Sequence, residues 1–135
     1  MAIHNHKHLA TVLTTLLFLS VFTGCFQSRD ESVPQDLVGH WVTDAPRYED
    51  CYIDITNTTI SFLTVAGTLN TYFIDRVERT VIEQQPVLLF HYENREGARF
   101  SKPIVQLGGG DNARIQFHNQ RHLKWRKIRS EDDDV

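Results

Sequence analysis

The chain has 135 residues, which is typical of one small domain, and it contains only 2 cysteines. Its hydrophobic fraction of 41%, its charged fraction of 23%, its 7 glycines and its 4 prolines are ordinary for a globular protein. This composition excludes a disordered chain, a collagen and a disulfide scaffold, and a net charge of −3 gives no general basic field for nucleic acid.

The N-terminal stretch has the form of a secretory signal. Residues 1–8 carry Lys7 and three histidines, and residues 9–22 (LATVLTTLLFLSVF) form an uncharged, largely apolar run. This run is shorter than the roughly 20 apolar residues that a transmembrane helix needs. We therefore predict a signal peptide over residues 1–24 that is removed from the mature protein.

The run ends in VFTGC at residues 21–25, where Thr23, Gly24 and Cys25 resemble the lipobox of bacterial lipoproteins. That resemblance implies that the Cys25 thiol is alkylated by diacylglycerol, so that acyl chains anchor the protein in a membrane. The same resemblance implies that Phe26 after the cysteine favours the outer membrane of the bacterial cell envelope, with the protein facing the periplasm. The alternatives are an ordinary signal peptide and an uncleaved anchor.

The chain after the signal divides into three parts. Residues 25–36 are polar and show no periodicity, and we predict that they comprise the lipidated cysteine and a tether. Residues 37–129 form the predicted domain. Residues 130–135 form a predicted acidic, disordered tail, since they lack the spaced ligands and glycine of a calcium site.

The domain shows the two-residue period of β-strands and no convincing amphipathic helix. Runs bounded by turn signals predict strands over residues 37–43, 51–56, 59–65, 71–83, 87–93, 98–106, 113–118 and 123–129. The fourth strand is long enough to bend. Eight short, closely spaced strands predict an all-β fold, an antiparallel meander closed as a barrel, with a β-sandwich as the alternative.

Cys51 begins the second predicted strand and shares its alternate spacing with Ile53 and Ile55. This spacing predicts that the three side chains face the core. Because lipid would consume Cys25, we expect no intramolecular disulfide, and we interpret Cys51 as a buried, inert thiol.

Gly39 and Trp41 in the first strand, with Trp125 and Arg126 in the last, resemble the pattern of lipocalins and related calycin-like barrels. In that superfamily a G-x-W motif plugs one barrel end and a basic residue of the final strand packs over the indole. The resemblance implies that Gly39, Trp41 and Arg126 close the barrel, with Arg129 as the second choice for the basic residue. Unlike full lipocalins, the chain has short strands and no C-terminal helix.

Other patterns that resemble reactive sites have simpler interpretations. His118 and His122 have the spacing of some zinc ligands, but they flank a predicted turn and lack a third ligand nearby, so we interpret them as solvated. The glycines at 108–110 lack the Lys-Ser/Thr and helix of a P-loop. Acidic residues are spread singly. We therefore expect no metal, no cofactor, no catalytic residue and no enzymatic activity.

Two hypotheses for function follow. The first is a membrane-anchored accessory or interaction module that presents its barrel to another envelope protein. The alternative is a lipocalin-like protein that binds a small hydrophobic ligand. We favour the first because seven aromatic residues are expected to fill the barrel and leave no cavity above roughly 300 Å³. These residues are Trp41, Phe62, Phe73, Phe90, Phe100, Phe117 and Trp125.

Overall fold

Alternating apolar residues and closely spaced turns produce a closed barrel in the computed structural model, which describes residues 32–129. The strands are β1 (Gly39–Val42), β2 (Tyr52–Ile55), β3 (Thr59–Leu63), β4 (Leu69–Ile82), β5 (Gln85–Glu93), β6 (Arg99–Leu107), β7 (Arg114–Phe117) and β8 (Trp125–Ile128). Each strand pairs antiparallel with the next, and β8 pairs with β1. The predicted eight-stranded antiparallel meander, closed as a barrel, is confirmed, and the sandwich alternative is excluded.

The packed domain begins earlier than the predicted start at residue 37. Val33 is buried in the core, and a short 3-10 helix follows over Gln35–Leu37. The Gln35 side chain donates a hydrogen bond to Asn57 in the β2–β3 turn. Residues 33–36 were predicted as tether because so short a segment has no periodicity that would reveal its packing.

Several predictions concern residues beyond this range. The signal peptide over 1–24, the lipidation of Cys25, the first part of the tether and the acidic tail over 130–135 lie outside the described residues. They stay predictions.

The long strand β4 bends and then turns tightly into β5. Its register against β5 shifts between Ile74 and Arg76, which marks a β-bulge within the strand. Glu83 and Gln84 form the two-residue turn with φ values of 48° and 65°, as a type I′ hairpin requires. The turn lies slightly earlier than predicted, and Pro86 belongs to β5.

Inward-facing side chains of the eight strands and of the segments that connect them build one core. The largest fully buried side chains are Leu37, Trp41, Ile53, Ile55, Ile60, Val77, Phe90, Ile104 and Ile115. Cys51 is buried with them, as its alternate spacing predicted.

Candidate functional site

Trp41 lies in the core next to the 3-10 helix that precedes β1. Its side chain is fully buried, and its indole Nε1 donates a hydrogen bond to the Leu37 carbonyl oxygen at 3.0 Å. Lys127 is the cross-strand partner of Trp41 on β8, and its Nζ lies 5.7 Å from the centre of the indole ring. The same ammonium donates a hydrogen bond to the Asp36 carbonyl oxygen at 3.2 Å. The 3-10 helix, the indole and the lysine together form what we call the closed end.

Gly39 makes room for that lysine. Its φ of 147° lies in a region that side-chain-bearing residues rarely adopt, and an added Cβ would overlap Lys127 Cε. The glycine therefore permits a close approach, and the group that approaches is the lysine side chain.

Arg126, expected to pack over Trp41, lies elsewhere. Its Nε and Nη2 each donate a hydrogen bond to Asp44 at 3.2 Å, and these contacts lower the pKa of the Asp44 carboxyl and raise that of the guanidinium. The second choice, Arg129, forms an ion pair with Asp111 at 3.0 Å. Both assignments to the indole are wrong.

The alternation of side chains along β8 explains why Lys127, and not Arg126, lies over the Trp41 indole. Trp125 is buried in the core, so Lys127, two residues later, shares its inward side and Arg126 faces outward. Register supports this, because Lys127 pairs with Trp41 whereas Arg126 pairs with Val42.

The opposite end of the barrel opens into a cavity of about 450 Å³, which we call the cup. Ile55 pairs with Gly39 at the closed end, whereas Cys51 and Leu63, at the far ends of the same hairpin, line the cup. The other lining residues are Tyr48, Tyr52, Ile53, Phe62, Thr64, Val65, Ala66, Asn70, Tyr72, Tyr92, Lys102, Phe117, Gln120, Leu123 and Trp125. The prediction that no cavity exceeds roughly 300 Å³ is wrong.

Two of the seven aromatic residues expected to fill the barrel do not fill it. Phe73 is 46% exposed, because Tyr72 takes the inward position on β4 and the next residue then faces outward. Phe100 is 42% exposed and packs 5.5 Å from Tyr72, between ring centres.

The cup has an aromatic wall. Tyr72 and Tyr92 pack edge to face with ring centres 5.0 Å apart, and Phe62 lies 6.1 Å from Phe117. Such pairs are the favoured geometry of aromatic rings. Burial raises the pKa of Tyr92 to about 12, so its hydroxyl is neutral at ordinary pH. The wall therefore presents flat apolar surface with a few uncharged polar groups.

Lys102 carries the charge of the cup. Its Nζ lies 4.5 Å from the ring centre of Phe117 and 5.2 Å from that of Phe62. Burial lowers the pKa of its ammonium. Among the residues that line the cup within 32–129 it is the only charged one, and no described carboxylate forms an ion pair with it.

The sequence analysis did not single out Lys102, although a signal was present. Lys102 pairs with the buried Phe90 on β5, and Ile104 two residues later pairs with the buried Phe117. Strict alternation from Ile104 would have placed the lysine inside the barrel.

The two turn histidines do not converge on one point. His118, expected to be solvated, is largely buried, with its Nε2 3.2 Å from a Glu83 carboxylate oxygen and its Nδ1 3.2 Å from the Gln85 amide oxygen. His122 is exposed. The part of the chain that the structure describes holds no group of three or more metal-ligating side chains.

A polar network lies on the outer surface. His91 Nδ1 lies 2.8 Å from Ser101 Oγ, and its Nε2 lies 3.3 Å from a Glu78 carboxylate oxygen. These residues come from three adjacent strands, and a polar cleft of about 240 Å³ lies beside them. We interpret the contacts as cross-strand hydrogen bonds that tie β4, β5 and β6 together.

Comparison of the chain with protein families, curated proteins and solved structures finds no match. No helix within residues 32–129 is long and apolar enough to cross a membrane.

Proposed function

We propose that the barrel binds a small, largely apolar molecule in the cup. The observation that carries this proposal is the open cavity of about 450 Å³, which falls within the range of about 300–1,000 Å³ typical of ligand sites. Aromatic side chains form its wall, with a few polar groups among them, which is the usual composition of such a site. We therefore favour the small-ligand hypothesis over the interaction module. The interaction module was preferred because the barrel was expected to be filled, and the described barrel contains an open cavity instead.

Lipid anchoring through Cys25 is part of the same proposal. Residues 26–32 separate this cysteine from the packed Val33, and the eight Cα–Cα steps between the two residues span roughly 29 Å at most. The chain enters the barrel at the closed end, through the 3-10 helix over Gln35–Leu37. An anchored barrel would therefore stay near the membrane surface of the bacterial envelope with its cup directed away from the anchor.

A titration with a neutral, environment-sensitive naphthylamine probe tests the cup. We expect saturable binding that Tyr72→Ala weakens, since this change removes part of the aromatic wall. Phe73→Ala is the matched control, because it removes a neighbouring ring that faces outward. Absence of saturable binding, or equal effects of the two substitutions, would contradict the proposal.

Native mass spectrometry of protein extracted from membranes tests the same proposal in the cell. A bound small molecule supports the cup as a ligand site, whereas a stoichiometric protein partner without a small molecule supports the interaction module instead. The anchor has its own test, since Cys25→Ser should abolish partitioning into the detergent phase. Unchanged partitioning would contradict lipidation at this cysteine.

A further inference from the structure

The charge inside the cup restricts what it binds. The Lys102 ammonium has three N–H donors, and its described contacts are with the faces of Phe62 and Phe117, which attract the positive charge electrostatically but form no ordinary hydrogen bond with it. An ammonium drawn away from water without an anion is destabilised. An acceptor placed in the cup would relieve that penalty.

The lining of the cup offers this ammonium no anionic partner, since Lys102 is the only charged residue that lines the cup among residues 32–129. An ammonium is a hydrogen-bond donor only. The group that suits it is a negatively charged acceptor, as an ionised carboxylate is.

We propose that the cup selects an amphipathic carboxylate, with its headgroup on Lys102 Nζ and its apolar chain along the aromatic wall. This inference rests on the proposed function, because it specifies the ligand of the same cavity. A single ammonium with no second cation in the lining matches one negative charge. Charge-assisted hydrogen bonds are stronger than neutral ones, so the carboxylate should be preferred to an alcohol of equal chain length.

The test compares dodecanoate with dodecanol, both below their aggregation concentrations, by titration calorimetry at about pH 7.5. The protein is the predicted mature chain, residues 25–135, with Cys25→Ser, so that neither the apolar run of the signal nor a lipid requires a detergent that would compete for the cup. Lys102→Gln removes the charge inside the cup, and Lys124→Gln removes a charge from an exposed position on the same barrel. Melting temperatures establish that both variants are folded.

We expect dodecanoate to bind the parent chain about tenfold more tightly than dodecanol, with Lys102→Gln removing this preference and Lys124→Gln retaining it. If both ligands bind equally, or if Lys102→Gln keeps the preference, the inference is overturned while the cup remains a ligand site. If neither ligand nor the neutral probe binds, the proposed function itself fails.

Discussion

Lys127 Nζ lies 5.7 Å from the centre of the Trp41 ring, directly across the β1–β8 pair that closes the barrel. Both strands at this seam are only four residues long. Side-chain contacts therefore supplement a short hydrogen-bond ladder, and the seam is the place where substitutions should reveal how closure is maintained.

The indole and the lysine should be energetically coupled. Trp41→Ala removes a fully buried ring and should lower the free energy of unfolding by about 3–5 kcal/mol. Lys127→Ala should lower it by about 1 kcal/mol through loss of the cation–π contact. Since the two groups are in cation–π contact, the double variant should be destabilised less than the sum of the two single variants. The coupling energy should be about 0.5 kcal/mol or more.

Urea unfolding of the single and double variants measures this coupling. Arg126→Ala is the control, because Arg126 contacts Asp44 instead of the indole and should combine additively with Trp41→Ala. Coupling through Arg126 in place of Lys127 would contradict the closure described above.

Gly39→Ala should be destabilising for two separable reasons. The φ of 147° strains any residue with a Cβ, by about 1–3 kcal/mol, and the new methyl group also overlaps Lys127 Cε. Adding Lys127→Ala should recover only the part due to overlap. Gly97→Ala is the comparison, since Gly97 has a φ of 81° with open space around it. Unfolding free energies of Gly39→Ala, Lys127→Ala, their double variant and Gly97→Ala test both reasons. A Gly39→Ala chain as stable as the parent would refute them.

The sequence was sufficient for the fold because its signals were local. Two-residue alternation and turn residues such as those at Asn94–Gly97 define the strands, and a meander of short strands avoids edges by closing. Burial of Cys51 followed from the same alternation. The order of strands in the barrel required no information about distant residues.

The cup was missed because inward and outward faces were not assigned on every strand. Phe73 was counted as filling the barrel, whereas Tyr72 beside it takes the inward position. One bulge between Ile74 and Arg76 changes the alternation within β4, so a face assigned at one end of that strand does not hold at the other. Cavity volume depends on such placements, which composition does not give.

Lys102 should lower the free energy of unfolding of the ligand-free protein. Burial lowers the pKa of its ammonium in the folded chain below the usual 10.5. The unfolded chain therefore holds more protons between the folded pKa and 10.5, and stability rises with pH across that window. Lys102→Met should raise the melting temperature at neutral pH, and its advantage should shrink as the pH approaches 10.5.

Thermal unfolding of the parent chain and Lys102→Met between neutral pH and pH 10.5 checks this slope, with Lys124→Gln as the exposed control. An advantage of Lys102→Met that stays constant, or grows, as the pH rises would show that the ammonium is not penalised by burial.

The thiol of Cys51 should report occupancy of the cup. Cys51 lines the cup and is buried, and burial, assisted by the nearby Asp50 and Glu49, raises the pKa of its thiol. Since the thiolate is the reactive form, neutral iodoacetamide should alkylate Cys51 slowly in the Cys25→Ser chain, where it is the sole thiol, and rapidly once urea unfolds the protein. A ligand that fills the cup should slow alkylation of the folded chain further, in proportion to occupancy. If saturating ligand leaves the alkylation rate of Cys51 unchanged, the bound molecule lies outside the cup.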